Sequence, residues 1–469
     1  MYFFDMYAPL SSRPLCTDDT GRLVTYGDWY AHASTVATYI RPRALAAIIC
    51  RNTAGSLLSY LSCLQNRIVP LMLDPAVAPE LQEKLLRRYE PEYIFQPRNT
   101  TAAHALYTLA DYGLYHTKAT PCPLHPDLAL LLTTSGSTGS PKLVRQSYRN
   151  LQANAASIAA YLNLQPDQYP ISSLPMHYTF GLSVIHSHLY CGAAIRLTEN
   201  TVFDNGFWDI CRDEKITSLA GVPFTYACLD KLGFQNMDLP HLTLLLQAGG
   251  RLGEPLHKKF GTYAQEKNKR FIVMYGQTEA TARMSYLPAA ACLKKIGSIG
   301  IAIPGGFFRI MENETEEITV PEQPGELYYE GDNVTLGYAE TRADLQKGDE
   351  RHGRLFTGDI AYKDEDGYFY IVGRKKRFIK LTGKRFNLDE AEQLLKNSLT
   401  TGEVACTGKD EQLQIYTTAS QELPALEAIL QHTLQLLPRQ YVLQVVNTIP
   451  KNSSGKIQYT RLTQPEAAL

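Results

Sequence analysis

Short apolar runs alternate with longer amphipathic ones through the first part of the chain. ALAAIIC, from Ala44 to Cys50, is apolar at every position, which is the pattern of a strand buried on both faces. AGSLLSYLSCLQN, from Ala54 to Asn66, repeats its apolar residues at helical spacing. IVPLMLD reads as a second strand, PELQEKLLRRY as a charged helix opened by proline, and EYIFQP as a further strand. Strand, helix and strand at this spacing predict the βαβ units of a parallel sheet. The pattern resumes with NLQANAASIAAYL as helix, DQYPISSLP as strand and SVIHSHLYCG as a helix ending at Gly192. AAIRL, TSLAGVP and LTLLLQAGG then predict strands that open into loops. Sheets of this class bind ligands at the loops beyond their strand ends.

From about Gly325 the periodicity changes. GELYYEG and GYFYIVG alternate with period two and are rich in aromatics, with the polar ETRADLQKGDERHG between them. After Arg374 comes the basic KKRFIK, followed by a compact mixture of helix and short strand. The predicted organisation is an α/β protein with a large domain over 1–375 and a small α+β domain over 376–469. A length of 469 residues calls for more than one core.

Composition adds exclusions. With 46 basic against 47 acidic residues, there is no electrostatic footprint for nucleic acid. Nine scattered cysteines, with no CxxC pair, fit reduced thiols better than a disulfide framework. His186 and His188, alternating inside an apolar stretch, read as core residues rather than metal ligands. The first residues lack a basic start and carry Asp5, and no apolar run has the length of a membrane span. The expected location is cytoplasmic.

The chemistry begins at TTSGSTGSPK, Thr133 to Lys142, directly after the apolar LALLL. Small residues let consecutive backbone N–H groups turn inward as an anion nest, hydroxyls add donors, and Lys142 brings a point charge. It is a phosphate cradle of a different pattern from GxxxxGK[ST], because Lys142 follows Pro141 and no hydroxyl residue comes after it. Further along stand MYGQTEA with Glu279, RLFTGDIAYKDEDGYFYIVGR with Asp359 and Arg374, KLTG, and IPKNSSGK with Lys456. In order and spacing, from about Thr25 to Leu462, these resemble the adenylate-forming superfamily. That group includes acyl- and aryl-CoA ligases, peptide-synthetase adenylation domains and beetle luciferases. The style here is that of a stand-alone acyl- or aryl-CoA or carrier-protein ligase.

The resemblance implies a large ATP-binding domain, including a distorted β-barrel-like subdomain, and a small mobile C-terminal domain. It implies that Thr134, Ser135, Gly136, Ser137, Thr138, Gly139 and Lys142 hold the β- and γ-phosphates of ATP. Thr278 meets the α-phosphate and Glu279 holds Mg²⁺. Tyr275 with Gly276 stacks on adenine beside a slot of Ala248, Gly249 and Gly250, while Asp359 and Arg374 take the ribose and Lys380 adds a further cation. Lys456 would serve adenylation, Lys376 a hinge, and Gly383 the wall of a tunnel for the pantetheine thiol.

The chain departs from the pattern at LPMHYTFGL, where the usual phenylalanine and histidine are His177 and Tyr178. Leu143 replaces the glycine that usually follows the loop lysine. The pocket candidates are His177, Tyr178, Phe180, Phe224, Thr225 and Met284, mostly apolar or aromatic and with no aspartate to read an α-amine. They favour a fatty or aromatic acid over an α-amino acid. The expected activity is an ATP-dependent acid–thiol ligase with coenzyme A as acceptor. Two alternatives are loading of the phosphopantetheine of a separate carrier protein, and a catalytically silent adenylate-binding protein.

Overall fold

The computed structural model describes residues 2–5, 11–98, 104–133, 142–375, 377–381, 384–409, 411–451 and 455–462, with the backbone alone at 378, 380, 384, 385 and 460. The chain forms two compact units, Met1–Phe307 with Tyr329–Leu355, and Phe308–Tyr328 with Phe356–Leu469.

The apolar runs of the first unit become the strands of two sheets. In one, Arg270–Tyr275, Leu244–Gln247, Ser218–Gly221, Pro170–Ser172, Ile195–Leu197 and Pro14–Thr17 lie side by side and parallel. In the other, Leu128–Thr133, Val69–Leu73, Leu45–Ile49 and Tyr93–Pro97 are parallel neighbours, with antiparallel strands at both edges. Continuous apolarity in these runs follows from burial on both faces: every residue of Leu45–Ile49 and Val69–Leu73 is buried. One hydrophobic core joins Ile48, Met72 and Leu130 of the second sheet to Ile195 and Leu197 of the first and to Leu182 and Ile185 of helix Thr179–Tyr190.

Helix Tyr148–Leu162 opens on a capping box, in which the Ser147 hydroxyl accepts from the Asn150 N–H and the Asn150 side chain accepts from the Ser147 N–H. It packs against helix Thr179–Tyr190, which starts before the expected SVIHSHLYCG and so places Phe180 in its first turn. His186 and His188 lie inside this helix, fully buried, and burial pushes them down to about 3 and about 4. His186 Nε2 lies 2.8 Å from the Tyr60 hydroxyl. All nine cysteines are free thiols. Among the described residues no helix is long and apolar enough to cross a membrane.

The aromatic alternation yields Gly325–Gly331 and Phe369–Arg374, the latter antiparallel to Arg354–Lys363. The hairpin Phe378–Leu381 and Lys384–Asn387 leads into helix Leu388–Ser398, whose N–H groups are capped by the Asn387 side chain. A three-stranded sheet of Val404–Lys409, Gln412–Thr417 and Tyr441–Val445 covers that helix. A polar cluster sits in this small core. The Arg377 guanidinium donates to Glu392 Oε2 at 3.0 Å and to the Cys406 carbonyl at 2.9 Å, and it lies 3.8 Å from the Tyr459 ring centroid. The Tyr459 hydroxyl donates to Glu392 Oε1 at 2.8 Å.

Burial raises the Glu392 pKa despite the opposing pull of Arg377, the Cys406 N–H and the Tyr459 hydroxyl. Burial also works against the Arg377 charge, but Tyr459, Asp389 and Glu392 outweigh it and its pKa lies above the usual value. A carboxyl raised in the folded state keeps its proton to higher pH than in the unfolded chain. Stability therefore falls as pH rises from the ordinary glutamate range toward the raised value, by at most roughly 1.4 kcal/mol per pH unit. We expect hydrogen-exchange protection of Val404–Lys409 to decline over that window, and Glu392→Gln to flatten the decline. Parallel pH profiles for the two proteins would remove Glu392 as the cause.

Candidate active site

Four neighbouring parallel strands end side by side, and the loops that follow them carry candidates far apart in sequence. Arg270–Tyr275 leads into Gly276, Thr278 and Glu279; Leu244–Gln247 leads into Ala248–Gly250. Ser218–Gly221 leads to Phe224 and Thr225, and Pro170–Ser172 to His177, Tyr178 and Phe180. Close approach dictates the glycines. Gly249 has φ +84°, and a Cβ there would lie 2.6 Å from the Tyr178 hydroxyl. A Cβ at Gly276 would overlap the Ala282 carbonyl. Burial pushes the Tyr178 phenol up to about 12, so it is a neutral group throughout the working pH range.

The loop from Gly276 to Arg283 is held by its carbonyls. Glu279 O accepts from the Thr335 N–H at 3.0 Å, the Thr335 hydroxyl at 2.9 Å and the Arg351 guanidinium at 3.0 Å. Asn333 Nδ2 donates to Ala280 O at 2.9 Å and Arg283 O at 3.1 Å, and its Oδ1 accepts from the Tyr329 hydroxyl at 2.9 Å. Thr281 sits at φ 65°, ψ −59°, a strained conformation for a β-branched residue. Its hydroxyl donates to Asn333 O at 2.6 Å, and its carbonyl accepts from Gln146 at 3.3 Å and from the Thr179 hydroxyl. These bonds over-determine the turn and fix where Thr278 and Glu279 stand.

One residue outside the sequence-based candidates links two of them. Tyr338, in strand Gly337–Ala339, donates its hydroxyl to Glu279 Oε1 at 2.6 Å. Lys142 Nζ lies 3.7 Å from the centroid of the same ring, and the Arg351 guanidinium carbon lies 4.7 Å from it. Burial, and then the Glu279 charge, raise the Tyr338 pKa, so the hydroxyl remains a donor to the carboxylate. The ring is brought there by antiparallel pairing of Gly337–Ala339 with Leu143–Ser147, the strand that begins right after Lys142. Buried Arg145 fixes the backbone by donating from Nε to Tyr338 O at 3.0 Å. A tyrosine directly after a glycine in TLGYAE is the only trace of this in the sequence.

The pocket candidates divide. Phe180 and Met284 are buried, and His177 Nε2 lies 3.3 Å from Asp74 Oδ2, at the end of Val69–Leu73, another residue that the sequence reading missed. Thr225 packs on Gly221, whose added Cβ would lie 2.9 Å from Thr225 Cβ. Phe224 is 55% exposed, so the structure leaves its ring outside the buried group. An unexpected member is Arg283, 2% exposed, which donates to the Ser183 hydroxyl and the Tyr161 hydroxyl, both at 3.1 Å. Its guanidinium carbon lies 5.2 Å from the Phe180 ring centroid.

In the second unit, Asp359 and Arg374 are cross-strand partners with Oδ1 and Nε 3.0 Å apart, the carboxylate side chain 4% exposed and the arginine 62%. Lys456 follows Gly455, at φ +77°, on a segment tied by the Lys451 to Ile457 bridge and by Gln458 N donating to Pro450 O at 2.8 Å. Lys380 belongs to strand Phe378–Leu381, opposite Arg385. Thr134, Ser135, Gly136, Ser137, Thr138, Gly139, Lys376 and Gly383 lie outside the described residues.

Residues 8–339 match the family described as AMP-binding enzyme. Luciferin 4-monooxygenase of Photuris pensylvanica is 28% identical over 359 residues, covering 72% of this chain and 64% of that protein. The 2-succinylbenzoate–CoA ligase of Oceanobacillus iheyensis is 28% identical over 339 residues, covering 71% of this chain and 68% of the relative. In fold, the chain is similar to o-succinylbenzoate CoA synthetase from Bacillus subtilis in complex with its acyl-adenylate intermediate. The TM-score is 0.79 at 20% identity, with 99% of each chain covered. The same synthetase has also been solved with ATP and magnesium ion, where the TM-score is 0.76, again at 20% identity, over 96% of this chain and 97% of that one.

Proposed function

Because the chain belongs to the AMP-binding enzyme family, we propose that it is an ATP-dependent ligase that joins a carboxylic acid to the thiol of coenzyme A through an acyl- or aryl-adenylate. The observation that carries this reading is the meeting of Lys142 and Glu279 on the two functions of one tyrosine, its ring and its hydroxyl. A lysine suited to phosphate, at the start of the antiparallel strand Leu143–Ser147, and a carboxylate suited to a hard cation, after the parallel strand Arg270–Tyr275, stand together. The curated acid–CoA ligase it matches and the full-length likeness to an acyl-adenylate complex support the same reading.

Glu279 is an oxygen donor oriented by Tyr338, which fits Mg²⁺. When bound with ATP, that ion neutralises phosphate charge. Lys142 and the hydroxyl- and glycine-rich loop hold the β- and γ-phosphates, and Thr278 meets the α-phosphate. Tyr275 and the Ala248–Gly250 slot receive adenine. Asp359 accepts from the ribose hydroxyls, with Arg374 and Lys380 on the nucleotide side. A carboxylate oxygen of the acid attacks the α-phosphorus and pyrophosphate leaves. Lys456 neutralises charge between the two reactants, an effect worth several kcal/mol in a sheltered site. The thiol sulfur then attacks the acyl carbonyl and AMP leaves, after the domain 376–469 turns about Lys376 and brings Gly383 to the tunnel.

Pyrophosphate release over fatty, benzoic and cinnamic acids, followed by thioester assay with coenzyme A and with a holo carrier protein, tests the proposal. Release neither with these acids nor with their analogues bearing a second oxygen, such as terephthalate and adipate, would refute the ligase reading, and thioester on the carrier alone would move the acceptor to that protein. Lys456→Ala is expected to abolish adenylation while sparing thioester formation from supplied acyl-AMP; equal loss of both half-reactions would contradict its role. Asp359→Ala should weaken ATP binding by about 2–4 kcal/mol in calorimetry, as a charge-assisted contact in a sheltered site is lost. Unchanged affinity would take Asp359 off the ribose.

A further inference from the structure

Arg283 is a buried cation, 2% exposed. Nε donates to Ser183, Nη1 to the Tyr161 hydroxyl and lies 3.2 Å from Met274 Sδ, and Nη2 is buried with no hydrogen-bond partner. Among the described residues no carboxylate forms an ion pair with it. Its polar partners are neutral: burial raises the Tyr161 phenol, with the nearby Arg283 charge only partly offsetting that. An unpaired charge in an apolar interior is costly to maintain, and a chain that needed only packing there would use a methionine or leucine.

The position gives the charge a use. Arg283 contacts Phe180 and Ser183 in the first turns of helix Thr179–Tyr190, and Met274 one residue before Tyr275 at the strand end. Phe180 and Met274, which the guanidinium touches, belong to one apolar cluster with Val184, Val222 and Ala248 of the slot, and Tyr178 packs on it. We propose that the acid taken by this site carries a second anionic oxygen at the end remote from the reacting carboxyl group, and that Arg283 receives it. The inference rests on the ligase reading for the identity of the reacting end. The two ends of the ligand then meet opposite requirements: apolar walls grip the body and a desolvated guanidinium holds the far oxygen. The Phe180 ring centroid stands 5.2 Å from the guanidinium carbon, so the ligand's far end reaches Arg283 by displacing that ring.

Matched acids make the test: benzoate against terephthalate and 4-hydroxybenzoate, and hexanoate against adipate. Melting temperature in the presence of each acid reads binding without turnover, and pyrophosphate release reads chemistry. Acids with the second oxygen are expected to raise the melting temperature of the wild type where the plain acid does not, and to exceed it in kcat/KM by about 100-fold. Terephthalate against 4-hydroxybenzoate separates an anionic carboxylate from a phenol, which is largely neutral near pH 7 and should gain less from Arg283. Arg283→Met should collapse the ratio toward one without lowering the melting temperature of the ligand-free protein, and Arg283→Lys should retain part of the ratio. Preference for the plain acids, or a ratio untouched by Arg283→Met, overturns the inference and leaves the ligase reading intact. A lower ligand-free melting temperature with the ratio unchanged makes Arg283 a structural residue and also overturns it. Binding of the doubly substituted acids without pyrophosphate release sustains the Arg283 assignment and refutes the ligase reading.

Discussion

The side-chain amide of Asn333 is the contact on which the first unit's site depends. From a buried position it donates to the carbonyls of Ala280 and Arg283 and accepts from Tyr329. Those two carbonyls flank Thr281, whose left-handed backbone costs on the order of 1–3 kcal/mol and persists only because its surroundings fix it. Without that clamp the turn has no reason to keep Glu279 facing Tyr338 or Arg283 facing Phe180. A strained turn here is an instrument of position: it reverses the chain sharply enough for one loop to present two side chains of opposite charge, Glu279 and Arg283, to different neighbours.

Much of the first unit was legible in the sequence because its strands are buried on both faces. ALAAIIC, IVPLMLD and LALLL leave only one reading, and the parallel order follows from the helices between them. Many of the first unit's candidate residues lie in loops that follow the ends of parallel strands. The partners were not legible. Tyr338 is separated from Lys142 by most of the first unit's sequence, and only the pairing of Gly337–Ala339 with Leu143–Ser147 joins them. Asn333 and Arg351 act on backbone carbonyls, which carry no side-chain pattern to read. Arg283 was visible as one charge among apolar residues in TARMSYL, but its burial depends on helices Tyr148–Leu162 and Thr179–Tyr190, far away in the chain. Phe224 shows the converse: apolar character does not by itself bury a ring, and this one is 55% exposed.

The Lys142, Tyr338 and Glu279 arrangement also explains how opposite charges are kept ready without neutralising each other. A direct ion pair would have to be broken before either group served a ligand. Here the ring holds the ammonium and the hydroxyl holds the carboxylate, through contacts of about 0.5–2 kcal/mol that a polyanion and its cation can displace. Arg351, stacked on the same ring and bonded to the Glu279 carbonyl, limits the tyrosine's freedom.

In the second unit, Tyr459 is three positions from Lys456 and is locked to helix Leu388–Ser398 through Glu392 and Arg377. The segment that bears the lysine is thus built into the small core, and the two are inherited together. An exchange of whole units between related chains would carry the lysine along with its own anchor. A crossover within the unit, between helix Leu388–Ser398 and Tyr459, would separate Glu392 from the hydroxyl that satisfies it and leave a buried carboxylate short of a donor. A crossover inside the unit therefore carries a cost that comes from the small core itself.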